Sequence, residues 1–104
     1  IAMKSPFLCQ AAREGDTMSV RKLILQQYDV NTQDAYGCTP LHWACMVGSE
    51  PVAKLLIDSG AVINSVNKRG WTPLHFALRD GHVSIVRLLT TSKAGRSKMK
   101  VLTD

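Results

Sequence analysis

The hexapeptide Thr39-Pro40-Leu41-His42-Trp43-Ala44 is written a second time, 33 positions later, as Thr72-Pro73-Leu74-His75-Phe76-Ala77. A segment recurring at that period folds as stacked copies of one supersecondary unit, because a unit of that length cannot bury its apolar face alone. Thr is a favoured helix N-cap, and Pro is tolerated at the first helical position, where the amide has no intrahelical acceptor. A His three residues after the Thr can reach back to the cap, so each copy predicts a helix start. Leu41 and Ala44, like Leu74 and Ala77, then share one face, with Ala small enough for a neighbour to pack closely. These are packing residues, not catalytic ones.

The match extends well beyond the hexapeptide. Gly15, Gly48 and Gly81 align at the same period, as do Val20, Ala53 and Val86, then Leu23, Leu56 and Leu89. Val30-Asn31 aligns with Ile63-Asn64, and Gly37 with Gly70. Apolar residues after each Gly recur at helical spacing, as in Val52, Leu55 and Leu56, or Val83, Val86 and Leu89 with Ile85 between them, which predicts a second helix. Residues 29–38 and 62–71 are polar, Asn-containing and without helical period, and predict projecting hairpin loops between units. Leu56, placed in the core by this register, is expected to be buried.

Thr-Pro-Leu-His, the Gly after the first helix, Val-Arg-Leu-Leu or Ala-Lys-Leu-Leu in the second, and Asp-Val-Asn or Val-Ile-Asn before the loop resemble ankyrin repeats. The resemblance spans roughly residues 5–91. It implies an all-α fold, a short solenoid of about three helix-turn-helix repeats joined by β-hairpin-like loops. Residues 1–104 then form a single ankyrin repeat domain: an N-capping repeat over 5–37, a second over 38–70, a truncated third over 71–92, and a basic C-terminal tail over 93–104. Unit one departs from the pattern, with Pro6-Phe7-Leu8-Cys9 in place of Thr-Pro-Leu-His and Lys22 in place of Leu55, as suits a cap whose outer face meets water. In unit three, Thr90-Thr91-Ser92-Lys93 stands where unit two has Ile57-Asp58-Ser59-Gly60. Residues 99–104 are therefore either an atypical end or the lead into a further repeat.

With 45% apolar and 20% charged residues, the chain can bury a core without resembling a membrane segment. No apolar run approaches the roughly 18 residues of a membrane helix, and the start lacks a signal-peptide pattern. It opens on Ile1 and not Met, which suggests a piece of a longer chain. Three cysteines, Cys9, Cys38 and Cys45, without Cys-x-x-Cys spacing, point to a reducing compartment, so cytoplasm or nucleus is the expected location. The net charge of +5 is uneven: residues 93–104 contribute +3 through Lys93, Arg96, Lys98 and Lys100 against Asp104. That tail carries neither repeat landmarks nor an apolar face, and is expected to be dispensable for folding. Binding of nucleic acid or anionic membrane through it is one alternative function. Regulation or targeting of a larger enzyme is another.

His42 and His75, with Cys38 and Cys45 nearby, are the residues that invite a catalytic or metal reading. Both His recur with the period, Cys9 takes that position in unit one, and no fourth ligand is offered, so no metal site is expected. Without a nucleophile elbow, a phosphate loop or His-Glu-x-x-His, no enzyme activity and no cofactor are expected. Trp43 and Phe76 read as fillers between units, Phe76 more firmly than Trp43. Tyr36 and Trp71 fall in loops, where no core is available to take a whole ring, and read as contact residues.

The resemblance places partner contacts on the concave side, made by the hairpin loops and the outer positions of the first helices. Position by position, that face holds Ala35, Tyr36, Cys38, Met46 and Val47 in unit two. Unit three adds Lys68, Arg69, Trp71, Arg79 and Asp80, and unit one adds Arg13 and Glu14. An apolar centre at Tyr36, Met46, Val47 and Trp71 edged by Lys68, Arg69 and Arg79 has interface composition. The expected function is non-catalytic protein-protein interaction, with a partner bearing apolar anchors and acidic flanks. The resemblance also implies Asn31 as a target of asparaginyl hydroxylation ahead of Asn64, because Leu23 and Asp29 flank it, whereas Asn64 has Val62 in place of the acid.

Overall fold

A computed structural model describes residues 6–91. Six helices follow in order: α1 (Phe7–Arg13), α2 (Thr17–Leu25), α3 (Pro40–Val47), α4 (Glu50–Asp58), α5 (Pro73–Arg79) and α6 (Val83–Thr91). No strand occurs among the described residues. The first helices pack in a row, α1 on α3 on α5, and the second helices in another, α2 on α4 on α6, with each pair also packed internally. This is an all-α solenoid of three helix-turn-helix units.

Local chemistry sets the helix starts. Thr39 and Thr72 cap α3 and α5, each hydroxyl accepting from the backbone N–H of the following His, while that His Nδ1 accepts from the Thr N–H at 3.0 and 2.9 Å. Both reciprocal donors at the helix start are thereby satisfied. Asp16 caps α2 by accepting from Ser19 N at 3.1 Å. Pro6 precedes α1 and offers no side-chain cap. The seven-residue α1 is thus held by packing more than by its start.

A single core runs through all three units. Leu8, Val20, Leu41, Val52, Leu56 and Ile85 are fully buried. Leu56 therefore sits where the register predicts. Val83 does not: it opens α6 and is 66% exposed, and Ile85, aligned with Val52 by the repeat, takes the buried position.

His42 joins unit two to unit three. It is fully buried, and its Nε2 lies 2.9 Å from the carbonyl oxygen of Trp71. With Nδ1 accepting from Thr39, Nε2 carries the hydrogen and donates across the junction. A second tie runs from His82 Nε2 to the carbonyl of Met46 at 3.2 Å. This one depends on Gly48, which ends α3 in the left-handed region at φ 81° and on which a Cβ would stand 2.6 Å from the His82 ring.

Candidate functional site

The loops between units close on a side chain that recurs with the period. In the first, Asp34 Oδ1 accepts from Tyr36 N at 2.9 Å and Cys38 N at 3.0 Å. In the second, Asn67 Oδ1 accepts from Arg69 N at 2.9 Å and Trp71 N at 3.0 Å. Backbone bonds from Asp34 N to Cys38 O and from Asn67 N to Trp71 O, both 2.9 Å, complete each hairpin-like turn. Lys68 N donates to Tyr36 O at 3.0 Å, which fastens one loop to the next. The two loops form a common wall.

Against that wall, α3 and α5 present their aromatic residues. Asp34 Oδ2 accepts from Trp43 Nε1 at 2.7 Å, and the Arg13 guanidinium lies 5.3 Å from the Trp43 ring centre, so this ring is fixed from both sides. Trp71 lies 5.0 Å from Phe76, centre to centre, and Arg79 lies over both rings at 5.3 and 5.1 Å. Between them is a groove of about 330 Å³. Its floor is Trp43, Met46, Trp71 and Phe76, with Cys38 and Asn67 at the base of the loops, and its rim is Ala35, Tyr36, Lys68, Arg69 and Arg79.

Six of the seven residues expected to contact a partner, Tyr36, Met46, Lys68, Arg69, Trp71 and Arg79, line this one groove. Val47 does not; it is 44% exposed at the end of α3, outside the lining. Trp71 is more buried than its loop position suggested, because its ring is half-buried on Phe76 and on His75. Tyr36, at 68% exposure, does stand in solvent. Arg79 is not a free cation either. It makes two bonds to its neighbour Asp80, at 3.0 and 3.1 Å, and this pairing holds the Asp80 carboxyl below the usual carboxylate range. Lys68 and Arg69 enter no ion pair among the described residues. Glu14 accepts from Gln10 at 3.4 Å and takes no part in the groove.

Four contributors escaped the sequence reading. Asp34 and Asn67 stand 33 residues apart and carried a periodic signal, whereas Trp43 and Phe76 showed as space-fillers and form two of the four floor residues. Asn31 is built into the junction between units one and two: its Oδ1 accepts from Val62 N at 2.8 Å, and its Nδ2 donates to Gly60 O at 3.4 Å. The basic tail over 93–104 lies outside the described residues.

Among the described residues, burial favours the uncharged forms of His42, Cys9 and Cys45. Burial lowers the pKa of His42 from its ordinary 6.5, against the hydrogen bonds that favour its charged form. Burial also pushes the Cys9 and Cys45 thiols up to about 12, with Asp34 adding to the effect at Cys9. Thiols held protonated are poor nucleophiles and poor metal ligands. No group of three or more His, Cys, Asp or Glu that could hold a metal converges among the described residues.

Residues 8–100 match the family model described as ankyrin repeats (3 copies). The chain is similar to palmitoyltransferase akr1 of Neurospora crassa, 43% identical over 58 residues, covering 55% of this chain and 8% of that protein. It is similar to palmitoyltransferase akr1 of Schizosaccharomyces pombe, 40% identical over 65 residues, covering 62% and 10%. It is also similar to scaffold protein ILK of Homo sapiens, 45% identical over 53 residues, covering 50% and 12%. In each case the match spans about a tenth of the relative's length.

Proposed function

The chain belongs to the ankyrin-repeat family, and from that premise we propose that it is a non-catalytic recognition module whose groove between units two and three holds a partner protein. Ankyrin repeats are themselves non-catalytic and generally mediate protein-protein interaction. The observation that carries the reading is the fixed aromatic floor. Trp43 is held by Asp34 and Arg13, and Trp71 is packed on Phe76 beneath Arg79, so little side-chain freedom remains to be lost on binding. The partner carries apolar anchors with acidic flanks, matched to an apolar floor and a cationic rim. Three buried free thiols support an intracellular, reducing setting.

Tyr36 is the clean probe, because its exposure lets it be truncated without opening the core. Partners recovered from cell extract should dissociate faster from Tyr36→Ala, at a cost of about 1 to 2 kcal/mol or more. Lys68→Glu and Arg69→Glu should slow association, with the effect fading as salt exceeds about 0.15 M. A partner retained by Tyr36→Ala but lost on removing residues 93–104 would replace this reading with polyanion binding through the tail.

The similarity to palmitoyltransferases supports a second reading at the level of the whole protein, in which this module regulates or targets an enzyme encoded in the same chain. The module's own role as a binding surface is the same in either case.

A further inference from the structure

A groove lined by two Trp, a Phe and a Tyr has the composition of a cage for a cationic ligand such as methylated lysine, since ring faces attract cations. The charges here oppose that use. The ring faces already carry guanidinium groups, Arg13 over Trp43 and Arg79 over Trp71 and Phe76, and Lys68 and Arg69 stand on the rim. An incoming cation would compete with resident ones and meet like charge on its way in.

We propose that the groove takes one aromatic side chain of an acidic peptide segment, with the acid on the loop side of the anchor. This rests on the groove reading above and specifies its ligand. About 330 Å³ is near the lower limit of ligand pockets, which fits one large side chain and not a helix or a folded lobe. Ring edges and faces around that space favour an aromatic anchor over an aliphatic one of similar area. The side of the acid follows from which cations are already engaged. Arg79, at the helix end, is bound twice by Asp80, whereas Lys68 and Arg69, at the loop tip, have no carboxylate partner among the described residues.

The chain contains two tryptophans, Trp43 and Trp71, and both line the groove, so their indole N–H signals report on it directly. The test titrates three blocked tripeptides, Phe-Asp-Asp, Phe-Lys-Lys and Ala-Asp-Asp, into the labelled protein and follows both signals. Phe-Asp-Asp should move both saturably. Ala-Asp-Asp should bind at least about threefold more weakly for want of the ring, and Phe-Lys-Lys at least about tenfold more weakly at low salt. Lys68→Gln and Arg69→Gln should weaken Phe-Asp-Asp and leave blocked Phe alone unchanged. Preference for Phe-Lys-Lys, equal binding of Ala-Asp-Asp, or no shift from any tripeptide at millimolar concentration would overturn the assignment. Those outcomes sink the ligand class alone if the partner from extract still senses Tyr36→Ala; indifference of that partner to Tyr36→Ala sinks the groove itself.

Discussion

At the scale of the residue, His42 shows how one side chain serves both a helix start and a junction. Its Nδ1 accepts from Thr39, and protonating that nitrogen would set two N–H groups against each other. Because burial depresses its folded-state pKa, the unfolded chain takes up the proton more readily. The stability His42 contributes is therefore complete above its ordinary pKa of 6.5 and is lost as pH falls through that value toward the lowered one. Urea melts between pH 7.5 and 5 should show the midpoint falling, and His42→Gln should flatten that slope. A slope unchanged in His42→Gln would assign the titration elsewhere. The cap was legible in the sequence because Thr-Pro-Leu-His is local. The bond to the Trp71 carbonyl was not, since nothing in a sequence marks which carbonyl a buried nitrogen will meet 29 residues on.

The raised thiols yield a second prediction at this scale. With Cys9 and Cys45 held at about 12 by burial, neither presents thiolate in the folded state near neutral pH. Alkylation of native protein at pH 8 should proceed only as fast as the units open, and should become rapid in urea. Immediate labelling of the folded protein would contradict their burial. Asn31 illustrates a tension between local sequence and access. Leu23 and Asp29 rank it ahead of Asn64 for hydroxylation, yet its side chain is bonded across a junction while Asn64 is exposed. Mass spectrometry after incubation with an asparaginyl hydroxylase should find Asn31 modified first, at a rate limited by opening of that junction; Asn64 first would mean that access outranks flanking residues.

At the scale of the element, the second helices are amphipathic strips whose cost of disruption depends on depth. Leu56, fully buried on α4 and packed into the common core, should cost about 2 to 5 kcal/mol when truncated to Ala. Thr39→Ala should cost about 0.5 to 2 kcal/mol through the lost cap. Chemical denaturation would check both, and a Leu56→Ala chain as stable as the parent would remove the basis of the register. Helix starts and loop positions were readable because capping residues and glycines act within a few residues of themselves. Val83 was misread for the opposite reason: an apolar residue in the first turn of a helix carries helical spacing whether or not a neighbour lies over it. The packing of Trp71 was hidden for the same reason, since its loop position is plain from sequence and its contact with Phe76 is not.

At the scale of the whole molecule, the main packing among the described residues runs between neighbouring units, so stability and the groove both depend on the unit-two to unit-three junction. Gly48 and Gly81 occupy the same repeat position and both hold a positive φ, 81° and 72°, so an added Cβ strains each backbone similarly. Their surroundings differ. A Cβ on Gly48 would meet the His82 ring at 2.6 Å, whereas one on Gly81 meets nothing within 4 Å among the described residues. Gly48→Ala should therefore cost more than Gly81→Ala, and the difference should appear across the junction. Hydrogen exchange should quicken in α5 and α6 of Gly48→Ala while Val20 in α2 keeps most of its protection, because opening in a stack propagates from the broken contact. Binding at the groove should fall in parallel, since Trp43 and Met46 come from one side of that junction and Trp71 and Phe76 from the other. If the two variants instead lose equal stability, with exchange raised only beside the substituted residue, His82 is not a strut between the units, and the groove owes its shape to the loops alone.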